Sequence, residues 1–238
     1  KWKLVFAQDK TASSDLVIVA NGGMSKVRSF VTDARVVETG TFIVQGDVPS
    51  PEINLPDFYR LCDGHRLMVA HEGTLLVVNP ENNGSLTYGL IFEKPEAWGD
   101  ANQVDFQKKP AAMAYLLEKL KDWSGMYLDL ISATTQFVGL VTRVLPLDQP
   151  WKQQRPLPVT LIGDAAHLMP PFAGMGVNIG LKDAMILTEN LVTDRFSNVE
   201  DALLDYEKQM MVYAKAASAE SRENELEMRE LDFDFRRL

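Results

Sequence analysis

Residues Gly163 to Asn178 carry the most chemistry: Gly-Asp-Ala-Ala-His-Leu-Met-Pro-Pro-Phe-Ala-Gly-Met-Gly-Val-Asn. The apolar run Pro158 to Ile162 leads in as a strand, and the glycines at the far end open a helix carrying Leu181, Ala184, Met185, Leu187 and Leu191. Asp164 therefore stands at the carboxyl end of a strand. Small residues let backbone approach a ligand, and a helix start offers unpaired N–H groups at a positive dipole end. These parts suit a flavin: Asp164 can accept from ribityl hydroxyls, while the helix start can stabilise negative charge on the reduced ring near N1 and C2=O. Two glycines alone would serve equally well as an ordinary strand-to-helix turn. It is the whole ordered string that favours a cofactor pocket.

Those residues need elements to hold them. Lys1 to Phe6 alternates as a strand and leads through Asp9-Lys10 to another over Asp15 to Ala20. From Thr39 to Phe92 the pattern predicts a sheet with strands at Thr41 to Val48, Tyr59 to Asp63, Arg66 to Glu72, Leu75 to Val78 and Ser85 to Phe92, with hairpin signals at Asp63-Gly64 and Asn83-Gly84. Gln103 to Lys121 predicts an amphipathic helix, buried through Val104, Phe106, Met113, Leu116, Leu117 and Leu120. A short helix follows over Trp123 to Ile131, then a strand over Phe137 to Leu147. The Pro-rich stretch Asp148 to Pro158 crosses back to the cofactor region. Gly176 to Val192 is a helix, and Ser197 to about Arg229 another, capped by Ser197 or Asn198. Leu203, Leu204, Tyr206, Met210, Tyr213 and Ala217 form its buried stripe, and Leu231 to Leu238 is expected as a loosely held end.

With 238 residues, 46% of them hydrophobic, the chain can bury about 70% of its unfolded surface. A net charge of −9 with no basic cluster argues against nucleic acid and for a small-molecule partner. Cys62 is the only cysteine, and no charged start with a long apolar run marks export or membrane insertion, so the expected compartment is the cytoplasm. His65, His71 and His167 lack acidic or thiol neighbours at ligand spacing, and no metal is expected.

The Gly163 to Asn178 string closely resembles the second flavin motif of single-component FAD-dependent aromatic hydroxylases. Asp15 to Arg28, ending Asn-Gly-Gly-Met-Ser-Lys-Val-Arg, resembles that family's strand and loop that usually reads Ala-Asp-Gly, Ser, then Val-Arg, with Asn21 at the acidic place. The full run, Asn21-Gly22-Gly23-Met24 included, is most similar to the tetracycline destructases, which oxidise tetracycline antibiotics. The resemblance implies an α/β (α+β) fold: a partial Rossmann-like FAD-binding domain (1–38), a β-sheet substrate domain (39–150), the second flavin motif (151–196), and a C-terminal helix (197–238) bridging both domains. It implies FAD held by Asp164, Pro171, Gly174, Met175, Gly176, Val177 and Asn178, and NADPH as reductant. O2 then adds to the reduced flavin and one oxygen passes to an enolic or phenolic carbon of the substrate. The flavin carries that chemistry, so no catalytic residue is assigned.

The resemblance also places Gln45, Arg66, Met68 and Asn79 against a tetracycline-like substrate, with Met228 on the last helix closing the pocket. Pro171, Phe172 and Gly174 form the wall between flavin and substrate. Where relatives carry an aromatic residue and a histidine, this chain has Val77 and Thr87, and Met175 replaces a Gln. The family's opening Gly-x-Gly-x-x-Gly turn, which holds the pyrophosphate, does not occur in these 238 residues. Two explanations stand: a fragment whose partner segment lies elsewhere in the same protein, or a natural truncation. Either way the chain by itself is expected to be colourless and inactive. Alternatives to the destructase reading are a non-catalytic remnant or small-molecule binding module, and a hydroxylase of another phenolic or enolic substrate.

Overall fold

The computed structural model describes residues 1–96, 98 and 104–230. Its strands are β1 (Trp2–Val5), β2 (Thr11–Ser14), β3 (Val17–Val19), β4 (Val37–Pro49), β5 (Leu67–His71), β6 (Thr74–Asn82), β7 (Ser85–Glu93), β8 (Gln136–Val144) and β9 (Val159–Leu161). Its α-helices are α1 (Pro51–Asn54), α2 (Pro56–Cys62), α3 (Lys109–Lys119), α4 (Gly125–Ala133), α5 (Asp164–His167), α6 (Gly176–Val192) and α7 (Val199–Glu227). This is a mixed α/β fold. It divides into two compact units, Lys1–Thr39 with Arg143–Glu225, and Gly40–Thr142 with Leu226–Leu238.

In the first unit β3 and β9 run parallel, Val17 opposite Val159 and Val19 opposite Leu161, while β1 and β2 form an antiparallel pair. Val19, Val159 and Leu161 bury against Leu187 of α6 and Leu203, Tyr206, Met210 and Ala214 of α7. The α7 stripe has the expected helical spacing except at Leu204, which is exposed. Asn198 caps α7: its Oδ1 accepts the Asp201 N–H at 2.8 Å, satisfying an otherwise orphaned donor. Beneath them Arg155 and Glu207 pair bidentately at 2.6 and 2.7 Å, and the Thr160 hydroxyl donates to the same carboxylate at 2.7 Å. On α6 the buried face is Ile179, Asp183, Leu187 and Asn190; of the apolar residues named on this helix, Leu187 is buried, Leu191 half-buried, and Leu181, Ala184 and Met185 exposed.

The second unit is a five-stranded sheet in the order β5-β6-β7-β4-β8. One face, with Phe42, Val44, Val48, Val78, Leu86, Tyr88, Leu90 and Phe92, packs on Phe58, Leu116, Leu120, Leu130 and Ile131. Asn83 and Gly84, at φ 52° and 80°, make the β6–β7 hairpin as their sequence predicts, and Glu72-Gly73 makes the β5–β6 hairpin the same way.

Tyr59 to Asp63 is not a strand. It belongs to α2, which starts at Pro56, carries Asp57 in its first turn, and buries Phe58 and Cys62 one helical turn apart. Asp63-Gly64 is accordingly a left-handed helix end, not a hairpin. The aromatic and apolar content of Phe58 to Cys62 mimics a strand, and the proline that begins a helix decides otherwise. Likewise α3 begins only at Lys109, because Pro110 is tolerated in a first turn and not in the interior. Gln103, where that helix was expected to begin, and Leu231 to Leu238 lie outside the described residues.

Close packing of this sheet yields one test. A Cβ at Gly46 would sit 2.4 Å from Tyr88 Cζ, and the Tyr88 hydroxyl is bonded to Thr134 Oγ1 at 2.8 Å in a buried position. Gly46→Ala is expected to destabilise the second unit by about 1–3 kcal/mol, read by urea denaturation. A stability unchanged within about 0.5 kcal/mol would contradict this packing.

Candidate functional site

The site grows from the end of β9. Gly163 adopts φ 59°, ψ −147°, a conformation only glycine holds without strain, and turns the chain directly into α5. Asp164 opens that short helix, exposed, and its carboxylate accepts no hydrogen bond from the described residues. After Leu168 the chain passes Pro170 and a short 3₁₀ turn, Pro171–Ala173. Gly174 follows at φ 65°, then Met175 and α6. No side chain caps the α6 start, and the first helical bond runs from the Ile179 N–H to the Met175 carbonyl at 3.0 Å. The N–H groups of Gly176, Val177 and Asn178 thus have no acceptor among the described residues.

Space is available where those groups emerge. A Cβ added at Gly163, Gly174 or Gly176 would meet nothing within 4 Å. At Gly180 it would lie 3.5 Å from Gly163 Cα, so a small residue lets α6 pack closely on the turn. These features fit a flavin: an open carboxylate for hydroxyls, uncapped amides for an electron-rich ring edge, and glycine backbone allowing close approach. Asp164, Pro171, Gly174, Met175, Gly176, Val177 and Asn178 all belong to the first unit.

Behind this surface lies a buried network that sequence reading missed. The Asp183 carboxylate is fully buried and accepts three donors: the Gly163 N–H at 2.7 Å, His167 Nε2–H at 2.6 Å and the Tyr213 hydroxyl at 2.6 Å. A carboxylate only accepts, so His167 carries its proton on Nε2; its buried Nδ1 has no partner among the described residues. Burial, then the bond to Asp183, pushes the Tyr213 hydroxyl pKa well above the ordinary tyrosine range, keeping it a donor. Asp183 thereby fixes the turn that presents Asp164. An acid on the apolar stripe of α6, one turn from both Ile179 and Leu187, was the signal available in the sequence.

Arg28 ties the other motif to the same place. Its Nε donates to the Ala165 carbonyl at 2.7 Å, and its Nη2 to the Gly23 carbonyl at 2.7 Å and the Asp164 carbonyl at 3.1 Å. Burial lowers its pKa from the ordinary guanidinium value and the nearby Asp164 charge opposes that shift. Gly23 completes the junction, since a Cβ there would lie 2.8 Å from Leu168. The proline loop is anchored from α7. The Ser221 hydroxyl donates to the Pro170 carbonyl and accepts the Phe172 and Ala173 N–H groups at 3.2 and 3.3 Å.

The residues expected on the sheet share a face. In the second unit Met68 is opposite Val77, Val77 opposite Gly89, and Gly89 opposite Gln45, forming one row across four strands. The next row holds Asn79, Thr87 and Asp47, and Arg66 precedes Leu67, the partner of Val78. The two substituted positions, Val77 and Thr87, therefore lie on the same face as Gln45, Met68 and Asn79. Met228 is buried but sits one residue beyond α7, not on it, and is assigned to the second unit.

Residues 6–221 match the family described as "FAD binding domain". The monooxygenase penA of Penicillium thymicola is 26% identical over 262 residues, covering 90% of this chain and 60% of that protein. Klebsiella pneumoniae HpxO, solved with FAD and uric acid, superposes with a TM-score of 0.77 at 20% identity, covering 97% of this chain and 56% of that one. The tetracycline destructase Tet(55) superposes with a TM-score of 0.68 at 20% identity, covering 94% and 56%. The chain spans about half the length of the curated relatives it matches. By the match of residues 6–221, nearly its whole length, the chain belongs to the FAD binding domain family.

Proposed function

We propose that this chain is the substrate-binding and flavin-proximal part of an FAD- and NADPH-dependent monooxygenase that hydroxylates and inactivates tetracycline antibiotics in the cytoplasm. No described helix is long and apolar enough to cross a membrane. The observations that carry the reading are the uncapped start of α6 and the open Asp164 carboxylate, the latter on a turn braced by Asp183 and Arg28. When bound, FAD supplies the activation of O2. The chain's own residues do the rest: Asp164 and the amides of Gly176 to Asn178 hold and orient the ring, and Pro171, Phe172 and Gly174 shield it from water. The row of Met68, Val77, Gly89 and Gln45 gives the substrate a largely apolar floor, and Arg66 and Asn79 meet oxygen-rich edges.

Val77 and Thr87 favour a second reading, a hydroxylase of a different phenolic or enolic compound, because both positions lie on the face that would touch the ligand. The test uses protein expressed from its full gene with FAD, NADPH and tetracycline. Substrate-stimulated NADPH oxidation and a product heavier by one oxygen atom support the first reading. Such turnover with another phenol alone selects the second. A further expectation concerns Asp164→Ala in the same protein: FAD retention should fall about tenfold or more while tetracycline affinity changes less than about twofold, as for loss of a charged acceptor serving one ligand only. Parallel loss of both, or of neither, would remove Asp164 from its assigned place.

A further inference from the structure

We propose that Asp47 is a specificity residue that selects a substrate bearing a protonated amine on the edge opposite the one met by Arg66. This rests on the reading that the sheet face of the second unit takes the substrate. Asp47 and Thr87 are direct partners, as are Thr87 and Asn79, and Arg66 directly precedes β5, whose first residue Leu67 pairs with Val78 beside Asn79. The row of Asn79, Thr87 and Asp47 spans three strands, and Arg66, just before the fourth, stands at its Asn79 end, so the row is flanked by a cation at one end and closes on an anion at the other. Three strand spacings set the ends about 14 Å apart at the backbone. The reach of the two side chains shortens that to the dimension of a fused-ring compound.

Neither end is neutralised within the fold. The half-buried Asp47 carboxylate accepts from the Thr135 hydroxyl at 3.2 Å and forms no ion pair among the described residues. Exposed Arg66 forms none either. By contrast, Glu93 at the other end of the same face is already paired with Arg229. At about 14 Å Asp47 and Arg66 exceed the screening length of about 8–10 Å, so neither satisfies the other. An acceptor-rich edge set against Arg66 brings the opposite edge to Asp47, where a carboxylate rewards an ammonium and repels an anion.

The test is ligand binding by protein expressed from its full gene, using two pairs of compounds that differ in the amine. One pair is tetracycline and 4-dedimethylaminotetracycline; the other is kynurenine and its desamino analogue. The amine-bearing member of at least one pair should bind about tenfold more tightly, the size of one charge-assisted hydrogen bond. Asp47→Asn should erase that preference and leave the desamino member unchanged, while Arg66→Gln should weaken both members. A preference seen only with kynurenine overturns the tetracycline assignment and leaves the role of Asp47 standing. Absence of any amine preference, its survival in Asp47→Asn, or binding of no compound overturns the proposal itself.

Discussion

Replacing Asp183 with Ala is expected to destabilise the first unit by about 3–5 kcal/mol, a large part of a domain's stability. The half-buried Gly163 N–H and Tyr213 hydroxyl and the buried His167 Nε2–H share this one carboxylate, and its loss leaves all three without their protein acceptor. Each stranded donor costs about 1–3 kcal/mol. Asp183→Asn keeps the size but turns an N–H toward at least one donor, so it should recover only part. Urea denaturation gives the energy, and amide exchange at Gly163 reports the turn itself. A loss below about 1 kcal/mol, with the Gly163 amide still protected, would show that the turn is held by backbone packing alone.

Arg28→Ala should cost about 3 kcal/mol, because three carbonyls, those of Gly23, Asp164 and Ala165, lose their donor at once, and each bond contributes about 1 kcal/mol. Arg28→Lys is the sharper variant. A single ammonium cannot reproduce a planar fork that spans two chain segments, so Lys should restore less than half of the loss. In the full-gene protein both variants should also release FAD more readily than variants of equal stability in the second unit. Equal FAD retention at matched stability would mean that Arg28 supports the fold without positioning the flavin surface.

Much of the fold was legible because local rules decide it. Alternation and the Asn83-Gly84 turn specify β6 and β7, and the run Gly176 to Val192 is bounded as its glycine start predicts. The failures were also local in origin. Phe58 to Cys62 has strand-like composition, and only the Pro56 start and the need to cover one sheet face make it a helix. On α6, of the apolar residues named, Leu187 is buried while Leu181 and Met185 are exposed, and a charged residue, Asp183, lies among the buried ones. Hydrophobicity alone does not place Asp183 on that face; three hydrogen bonds offset the cost of burying the acid.

The amino-acid string by itself determined the chemistry on offer: a carboxylate after a strand, glycines where backbone must bend or come close, and a helix start with no cap. Those properties depend on residue type and on neighbours a few positions away. What only tertiary structure decided is what holds them. Asp183 and Gly163 are twenty positions apart, Arg28 and Ala165 well over a hundred, and Asp47 joins Asn79 in one row only through the pairing of three strands. Contacts between distant segments leave no periodicity in either segment, and so become visible only when the chain has closed on itself.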